Sequence, residues 1–417
     1  MLNRRHFLQT LPLGLVAGPA LSALGQTQPD GHLADEDETF WREVRDQFPL
    51  TRDRVYFNNG TNGPSPHSVV KAQQERMDAL ERMGEYGDTH AARTALARFL
   101  RVPEKEICLT HNTSEGINLM AWGLPLRRGD EVILTDHEHA GNALPWLNRA
   151  KLSGIKLKII SPAATAAETL DRINGAIARR TRVIAVPHIT CTTGQVLPVK
   201  EITRLGHDKG LFVCLDGAHG PGSTLLDLHD IGCDCYAACC HKWLLGPKGT
   251  GFLYVREAML DTLQVQHLGT YGDTGWDLHA RPPVLNGYVP TAHRYDYGTQ
   301  NAATYAGVPA AVEFFEKIGL EKIVHRARGL AERLQNGLLA LPDRVEMLTP
   351  GEAASRSTMI GFRLRHLDFR AFNDSAIRQG FRLRIVPEGG LNSIRVSTHC
   401  YNQPEEVDRL LALVAKS

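Results

Sequence analysis

Between positions 107 and 255, seven short apolar runs alternate with stretches of helical periodicity, and few architectures accept that alternation. Ile107 to Leu109, Glu131 to Leu134, Leu157 to Ile160, Val183 to Val186, Leu211 to Leu215, Cys235 to Ala238 and Gly251 to Val255 have the length and composition of strands. Amphipathic segments such as Glu168 to Arg179 and Val199 to Lys209 lie between them. Strands that are apolar on both sides and separated by helices predict a mostly parallel sheet covered on both faces, an α/β domain. In such sheets ligands bind beyond the carboxyl ends of the strands, so the residues just after each run are the ones to inspect.

The chain has 417 residues, enough for a large core and a smaller second one. Ser65-Pro66 predicts a helix start, with Ser65 as N-cap and a helix running to about Met83, and a second helix ends near Arg101. Beyond Asn301 the pattern changes to one long helical segment, Val308 to Leu339. Strand candidates follow at Val345 to Leu348, Met359 to Leu364, Arg382 to Val386 and Ile394 to Ser397, then a helix from Pro404. The expected organisation is an N-terminal segment over 26–50, a large domain over 51–300 and a smaller α+β domain over 301–417.

Residues 1–25 read as an address. Asn3-Arg4-Arg5-His6-Phe7-Leu8-Gln9 followed by a modest apolar run to Leu24 resembles a twin-arginine export signal, with cleavage expected near Ala23-Leu24-Gly25. The run is too short and too broken by Pro12, Gly14, Gly18 and Pro19 to span a bilayer, and nothing later is apolar enough, so no membrane span is expected in the mature protein. Export through the twin-arginine machinery to the periplasm or medium is the expectation. Lys plus Arg number 47 against 46 Asp plus Glu, so no overall field favours a nucleic-acid partner.

Polar clusters follow the apolar runs. Thr113-Ser114-Glu115 opens a helix, where unpaired backbone N–H groups suit a phosphate. His139 follows the run ending at Leu134. Asp216 ends a buried run and needs a cationic partner or several hydrogen bonds there. His219 follows shortly after. Lys242, beside His241, stands at another strand end, where desolvation suits an amine that condenses with carbonyls. Six of the eight cysteines lie between positions 191 and 240. Cys235 and Cys239 share one face of a strand while Cys240 points to the other, which suits small buried thiols rather than a zinc site, so no metal is expected.

The motifs Asp216-Gly217-Ala218-His219, Cys239-Cys240-His241-Lys242-Trp243 and Gly246-Pro247-Lys248-Gly249 together resemble pyridoxal-phosphate enzymes of fold type I, in the class V aminotransferase superfamily. That group includes cysteine desulfurases and isopenicillin-N epimerase-like proteins, and His188 to Gly194 and Cys240 to Trp243 look like the epimerase-like branch. The resemblance runs from Phe57-Asn58-Asn59-Gly60 to Tyr401-Asn402. It implies a large domain with a seven-stranded, mostly parallel sheet, a smaller C-terminal domain, pyridoxal 5'-phosphate as cofactor, and a homodimer. By the same resemblance, Lys242 condenses with the cofactor aldehyde, Asp216 pairs with the pyridine nitrogen, and His139 stacks on the ring. His219 reaches the ring oxygen, and Thr113, Ser114, Glu115 and His241 hold the phosphate. Gly298-Thr299 matches a segment lent to the neighbouring subunit's phosphate. Arg395 binds a substrate carboxylate, and Asn59 lies in the segment lining the entrance.

The expected function is that of an exported enzyme acting at the Cα of an amino acid or amino-acid-containing metabolite, of aminotransferase or epimerase type. A desulfurase needs a cysteine on a loop ahead of the carboxylate-binding arginine, and Val386 to Asn392 has none, while Cys400 lies after Arg395. Cysteine desulfurase or lyase-like activity is the alternative, as is a non-catalytic periplasmic binding protein on the same fold.

Overall fold

The computed structural model describes residues 37–417, which form one compact unit. The expected export signal and cleavage site lie outside the described residues. The seven expected strands all form: β1 (Ile107–Thr110), β2 (Glu131–Thr135), β3 (Lys156–Ile160), β4 (Thr181–Pro187), β5 (Phe212–Asp216), β6 (Cys235–Cys239) and β7 (Gly251–Val255). They build one sheet in the order β1-β7-β6-β5-β4-β2-β3. All pairings are parallel except those of β7 with β1 and β6. The fold is thus α/β, with a mostly parallel seven-stranded sheet as expected.

Burial follows position. Every residue of β1, β6 and β7 is buried, whereas β3, at the edge opposite β1, has only exposed and half-buried residues and carries Lys156 and Lys158. Charged side chains on an edge strand discourage pairing with another chain. The reversed β7 matters for chemistry. Because Cys239 pairs with Gly251, the segment 240–250 turns back at the carboxyl edge of the sheet and keeps Lys242 beside the ends of β5 and β6.

Helices cover both faces. Ser65 does not cap the helix His67–Met83; Pro66 occupies the N-cap, and Ser65 Oγ donates to the Gly246 carbonyl at 3.0 Å instead. The long helical segment expected over 308–339 is two helices, Gly307–Ile318 and Leu320–Leu339. Gly319 separates them at φ 99°, a conformation open to glycine and strained for other residues.

The C-terminal part holds an antiparallel sheet of β8 (Val345–Met347), β9 (Met359–Leu364), β10 (Arg384–Val386) and β11 (Ser393–Ser397), in the order β8-β9-β11-β10. The single strand expected over 382–386 is divided. Phe381–Arg382 pairs with Val55–Tyr56 near the start of the described chain, while β10 pairs with β11 and sets Arg384 opposite Arg395.

Candidate active site

At the carboxyl edge of the central sheet, residues from β5, the 240–250 turn, two helix N-termini and β10–β11 enclose a cavity of about 230 Å³. Among the residues expected from sequence, Thr113, Ser114, His139, Asp216, His219, His241, Lys242 and Arg395 line it.

One wall is the start of the helix Thr113–Gly123. Asn112 caps it, its side chain accepting the Glu115 N–H at 3.0 Å, and Thr113 and Ser114 face the cavity. Two polar atoms there are buried and unpartnered: His241 Nδ1, and Thr113 Oγ1, which meets only the weakly bonding Cys239 thiol. Buried polar atoms without partners are costly unless something fills their demand. A helix N-terminus with a hydroxyl and an imidazole at hand is a seat for a phosphate.

The floor carries Asp216 and His219. Burial pushes the Asp216 carboxyl above the usual range, against the pull of Lys242 and of the Ala218 N–H, which donates to Oδ1 at 2.9 Å. A cation placed against it, such as a protonated pyridine nitrogen, relieves that cost. His219 Nδ1 accepts a hydrogen bond from Trp243 Nε1 at 3.0 Å, and its Nε2 lies 3.4 Å from Lys242 Nζ. Burial and Lys242 hold the His219 imidazole well below its ordinary pKa, hence neutral.

The Lys242 backbone is held from behind. Gly63 N–H donates to the His241 carbonyl at 2.7 Å, and a Cβ at Gly63 would stand 2.0 Å from the Lys242 carbonyl oxygen, so only glycine permits this approach. Asn59 is fully buried and does not line the cavity. Its Nδ2 donates to the Lys242 carbonyl at 3.4 Å, and its Oδ1 accepts from Tyr401 at 2.9 Å.

His139 is the N-cap of the helix Ala140–Ser153, its Nδ1 accepting the Gly141 N–H at 3.0 Å. A nitrogen that accepts that bond cannot hold a proton, and although the outer part of the ring is exposed, desolvation on the cavity side with Lys242 and Arg384 nearby lowers its pKa to about 4. A neutral, fixed imidazole suits stacking on a heteroaromatic ring.

The far wall is cationic. Arg395, 1% exposed, donates from Nη1 to the Cys191 carbonyl at 2.5 Å and from Nη2 to Thr61 Oγ1 at 3.1 Å, and its Nε is unpartnered. Burial, then Arg384, depress its guanidinium below the ordinary value. Arg384 also lines the cavity, pairs with Glu388 and leaves Nη1 buried without a partner. Two guanidinium groups with spare donors call for a carboxylate.

Besides Asn59, two further expected residues lie elsewhere. The Glu115 carboxylate turns back to His111, accepting from its backbone N–H at 2.6 Å and meeting Nδ1 at 2.8 Å, so a phosphate would meet the backbone here and not that side chain. Thr299 lines a separate cavity of about 560 Å³ with Tyr86, Arg93 and Tyr271. Sequence reasoning passed over Arg384 and Thr61. Arg384 could have been found from its place three residues before Pro387, opposite Arg395 in a hairpin. The cysteines do not converge: Cys235 packs on one side of the sheet, Cys233 and Cys240 on the other, and Cys191 and Cys239 line the cavity.

The site therefore fits a phosphorylated pyridine aldehyde: an amine for the carbonyl, an acid for the ring nitrogen, an imidazole for its face and an anion seat for the phosphate. Comparisons with known proteins agree. Residues 56–410 match the family described as aminotransferase class-V. A probable cysteine desulfurase of Methanothermobacter thermautotrophicus is 31% identical over 88% of this chain and 96% of its own. An isopenicillin N epimerase of Streptomyces clavuligerus is 28% identical over 89% of this chain and 96% of its own. Desulfurase is the more frequent name among such relatives. The solved structure of the cystine C–S lyase C-DES with its product cysteine persulfide superposes with a TM-score of 0.81 at 28% identity, covering 88% of this chain and 99% of that one. A second structure of that enzyme carries glycine covalently linked to pyridoxal phosphate. The chain belongs to the class V aminotransferase family, and its cofactor is pyridoxal phosphate.

Proposed function

We propose that this member of the class V aminotransferase family removes the α-proton of an amino acid with Lys242 as base, and completes the reaction without a thiol of its own. The observation that carries the reading is the convergence of Lys242, Asp216, His139 and Arg395 on one cavity. When bound, pyridoxal phosphate supplies an electron sink that weakens the bonds at the substrate Cα. Thr113, Ser114 and His241 would hold its phosphate, Asp216 its ring nitrogen, and His219 its ring oxygen. Arg395 orients the substrate carboxylate, so that the Cα–H stands toward Lys242 Nζ. The Lys242 amine, held from behind by Gly63 and Asn59, takes that proton and returns it to a carbon.

With the cofactor bound, delivery of that proton by Lys242 on its own face would suit transamination, whereas epimerisation would need a second acid on the face of Cα opposite Lys242. The names of the relatives favour a second outcome, cleavage of a C–S bond in a sulfur amino acid. In either case the geometry supports a reaction with no enzyme persulfide. All eight cysteines are buried, the segment 386–392 contains none, and burial raises the Cys191 and Cys239 thiols above their ordinary pKa.

Purified protein should be yellow, borohydride should fix the chromophore, and Lys242→Ala should lose the fixed adduct. Amino acids incubated in deuterated water should exchange the α-proton. Keto acid, inverted amino acid, or pyruvate with sulfide or persulfide then identifies the outcome. A colourless protein that binds no pyridoxal phosphate, or an alkylation-sensitive persulfide on any cysteine during turnover, overturns the reading.

We further propose a homodimer, and export directed by Arg4-Arg5. Sedimentation tests the first, and cell fractionation of an Arg4→Lys/Arg5→Lys variant tests the second.

A further inference from the structure

Trp243 directly follows Lys242, and its indole is 1% exposed. Indole Nε1 can only donate, and it donates to His219 Nδ1 at 3.0 Å. A ring nitrogen that accepts holds no proton, so the neutral His219 carries its proton on Nε2, the atom 3.4 Å from Lys242 Nζ. Any hydrogen bond between those two nitrogens therefore has His219 as donor and the amine as acceptor.

The indole is itself clamped. His399, 1% exposed, lies against it with planes at 18° and centroids 5.9 Å apart. His399 Nδ1 accepts the Cys400 N–H at 2.8 Å, so Nε2 holds the proton and donates to the Trp243 carbonyl at 3.2 Å. Tyr401 also stacks on His399, at 7° and 5.4 Å, and its hydroxyl donates to Asn59 Oδ1, whose amide returns to the Lys242 carbonyl. His219, Trp243, His399, Tyr401 and Asn59 are all buried, and the ring of contacts begins and ends at the half-buried Lys242.

We propose that Trp243 is a positioning residue whose indole N–H fixes His219 as the Nε2–H tautomer, so that the imidazole is a permanent hydrogen-bond donor at the cavity beside Lys242. His399 and Tyr401 hold the indole in place for that task. The consequence is a donor that stays neutral as well as oriented. A second proton would have to enter at Nδ1, where the indole N–H already sits. Of the charged and titratable groups around it, the Arg395 and Arg384 guanidinium groups oppose it as well, Lys242 and His139 are bases that do not favour it, and Asp216 is the one carboxyl lining the same cavity. Without the indole N–H, the ring could turn a lone pair to the cavity or become a second cation next to the amine.

The inference rests on the Lys242 site being the cofactor site, but its test is readable with no turnover. Full-length protein carrying ring-15N histidine is followed by NMR without cofactor and with pyridoxal phosphate, the His219 signals being assigned by their loss in His219→Gln. The wild type should show an unprotonated Nδ1 and a protonated Nε2, unchanged from about pH 5 to about pH 9. Trp243→Phe should relax the tautomer ratio by about tenfold or let the ring titrate in that range, and should change the pH dependence of the visible band in the loaded protein. A wild-type His219 that carries its proton on Nδ1, or titrates in the range, overturns the proposal, and this needs no variant to fold. A folded Trp243→Phe with unchanged His219 signals also overturns it. If the tautomer is fixed but the protein binds no pyridoxal phosphate, it is the cofactor-site reading that fails.

Discussion

Replacing Gly63 by alanine adds one methyl group, and the structure says where it must go. The new Cβ would stand 2.0 Å from the Lys242 carbonyl oxygen and 3.0 Å from its carbon, when real Cβ atoms essentially never come within 3.0 Å of backbone. The 61–63 segment or the Lys242 peptide must therefore move by about 1 Å, and the Gly63 N–H bond to His241 restrains the first of these. Overpacking of this kind costs about 1–3 kcal/mol of stability. Displacing a reacting group by about 1 Å costs about a hundredfold in rate. The assay is α-proton exchange of an amino-acid substrate in deuterated water, run at a temperature where a denaturant titration shows the variant folded. Gly329→Ala is the control: a Cβ there meets nothing within 4 Å, and alanine in that helix should be neutral or stabilising by up to about 1 kcal/mol. A folded Gly63→Ala that binds cofactor and exchanges at the wild-type rate would refute the argument that this glycine sets the position of Lys242.

Thr113→Ala and His241→Ala each remove a buried polar atom aimed at the anion seat, and each should weaken pyridoxal-phosphate binding by about tenfold or more in a fluorescence titration, with pyridoxal lacking the phosphate affected far less. Arg395→Lys loses the planar fork and should raise the KM for an amino acid by about tenfold or more while leaving the visible spectrum of the loaded protein unchanged. His399 is buried neutral with a pKa near 4 against 6.5 when unfolded, so the unfolded chain binds the extra proton between those values. Its contribution is fully present above about pH 6.5 and lost as pH falls toward 4, an amount of about 3 kcal/mol. Glu138, held up to about 8 mainly by burial, titrates with the opposite sign between 4.5 and 8. The measurement is therefore the difference between wild type and His399→Gln in unfolding free energy against pH, which should have about one proton's slope from pH 6.5 to 4. Parallel curves would contradict the burial argument.

The strands were legible because a sheet buried on both faces writes itself as apolar runs, and the ends of β1 to β7 fall within a residue or two of those runs. Helix boundaries were harder. Ile318-Gly319-Leu320 keeps the apolar period, so the break at Gly319 depends on packing that periodicity does not carry. Ser65 has the chemistry of a cap, but the Gly246 carbonyl competes for its hydroxyl. In the site, Lys242, Asp216 and Arg395 could be named because each sits at a strand end or in a motif. Arg384 depends on the β10–β11 register, and the support given by Trp243, His399 and Tyr401 depends on ring stacking between segments more than 150 positions apart, which no local pattern encodes. Glu115 shows the converse limit: its sequence position marks a helix start, but the side chain's direction was decided by His111.

Asn59 and Tyr401 meet behind the lysine, so the active site is closed by the first and last stretches of the described chain. On the ribosome, the central sheet can emerge and pair while its amine still lacks that backing, because Tyr401 is made after every strand of that sheet. The catalytic pocket is consequently completed later than the sheet that carries it, and a product shortened to stop before Tyr401 would retain every strand of the large sheet yet lack the Tyr401–Asn59 contact behind its base.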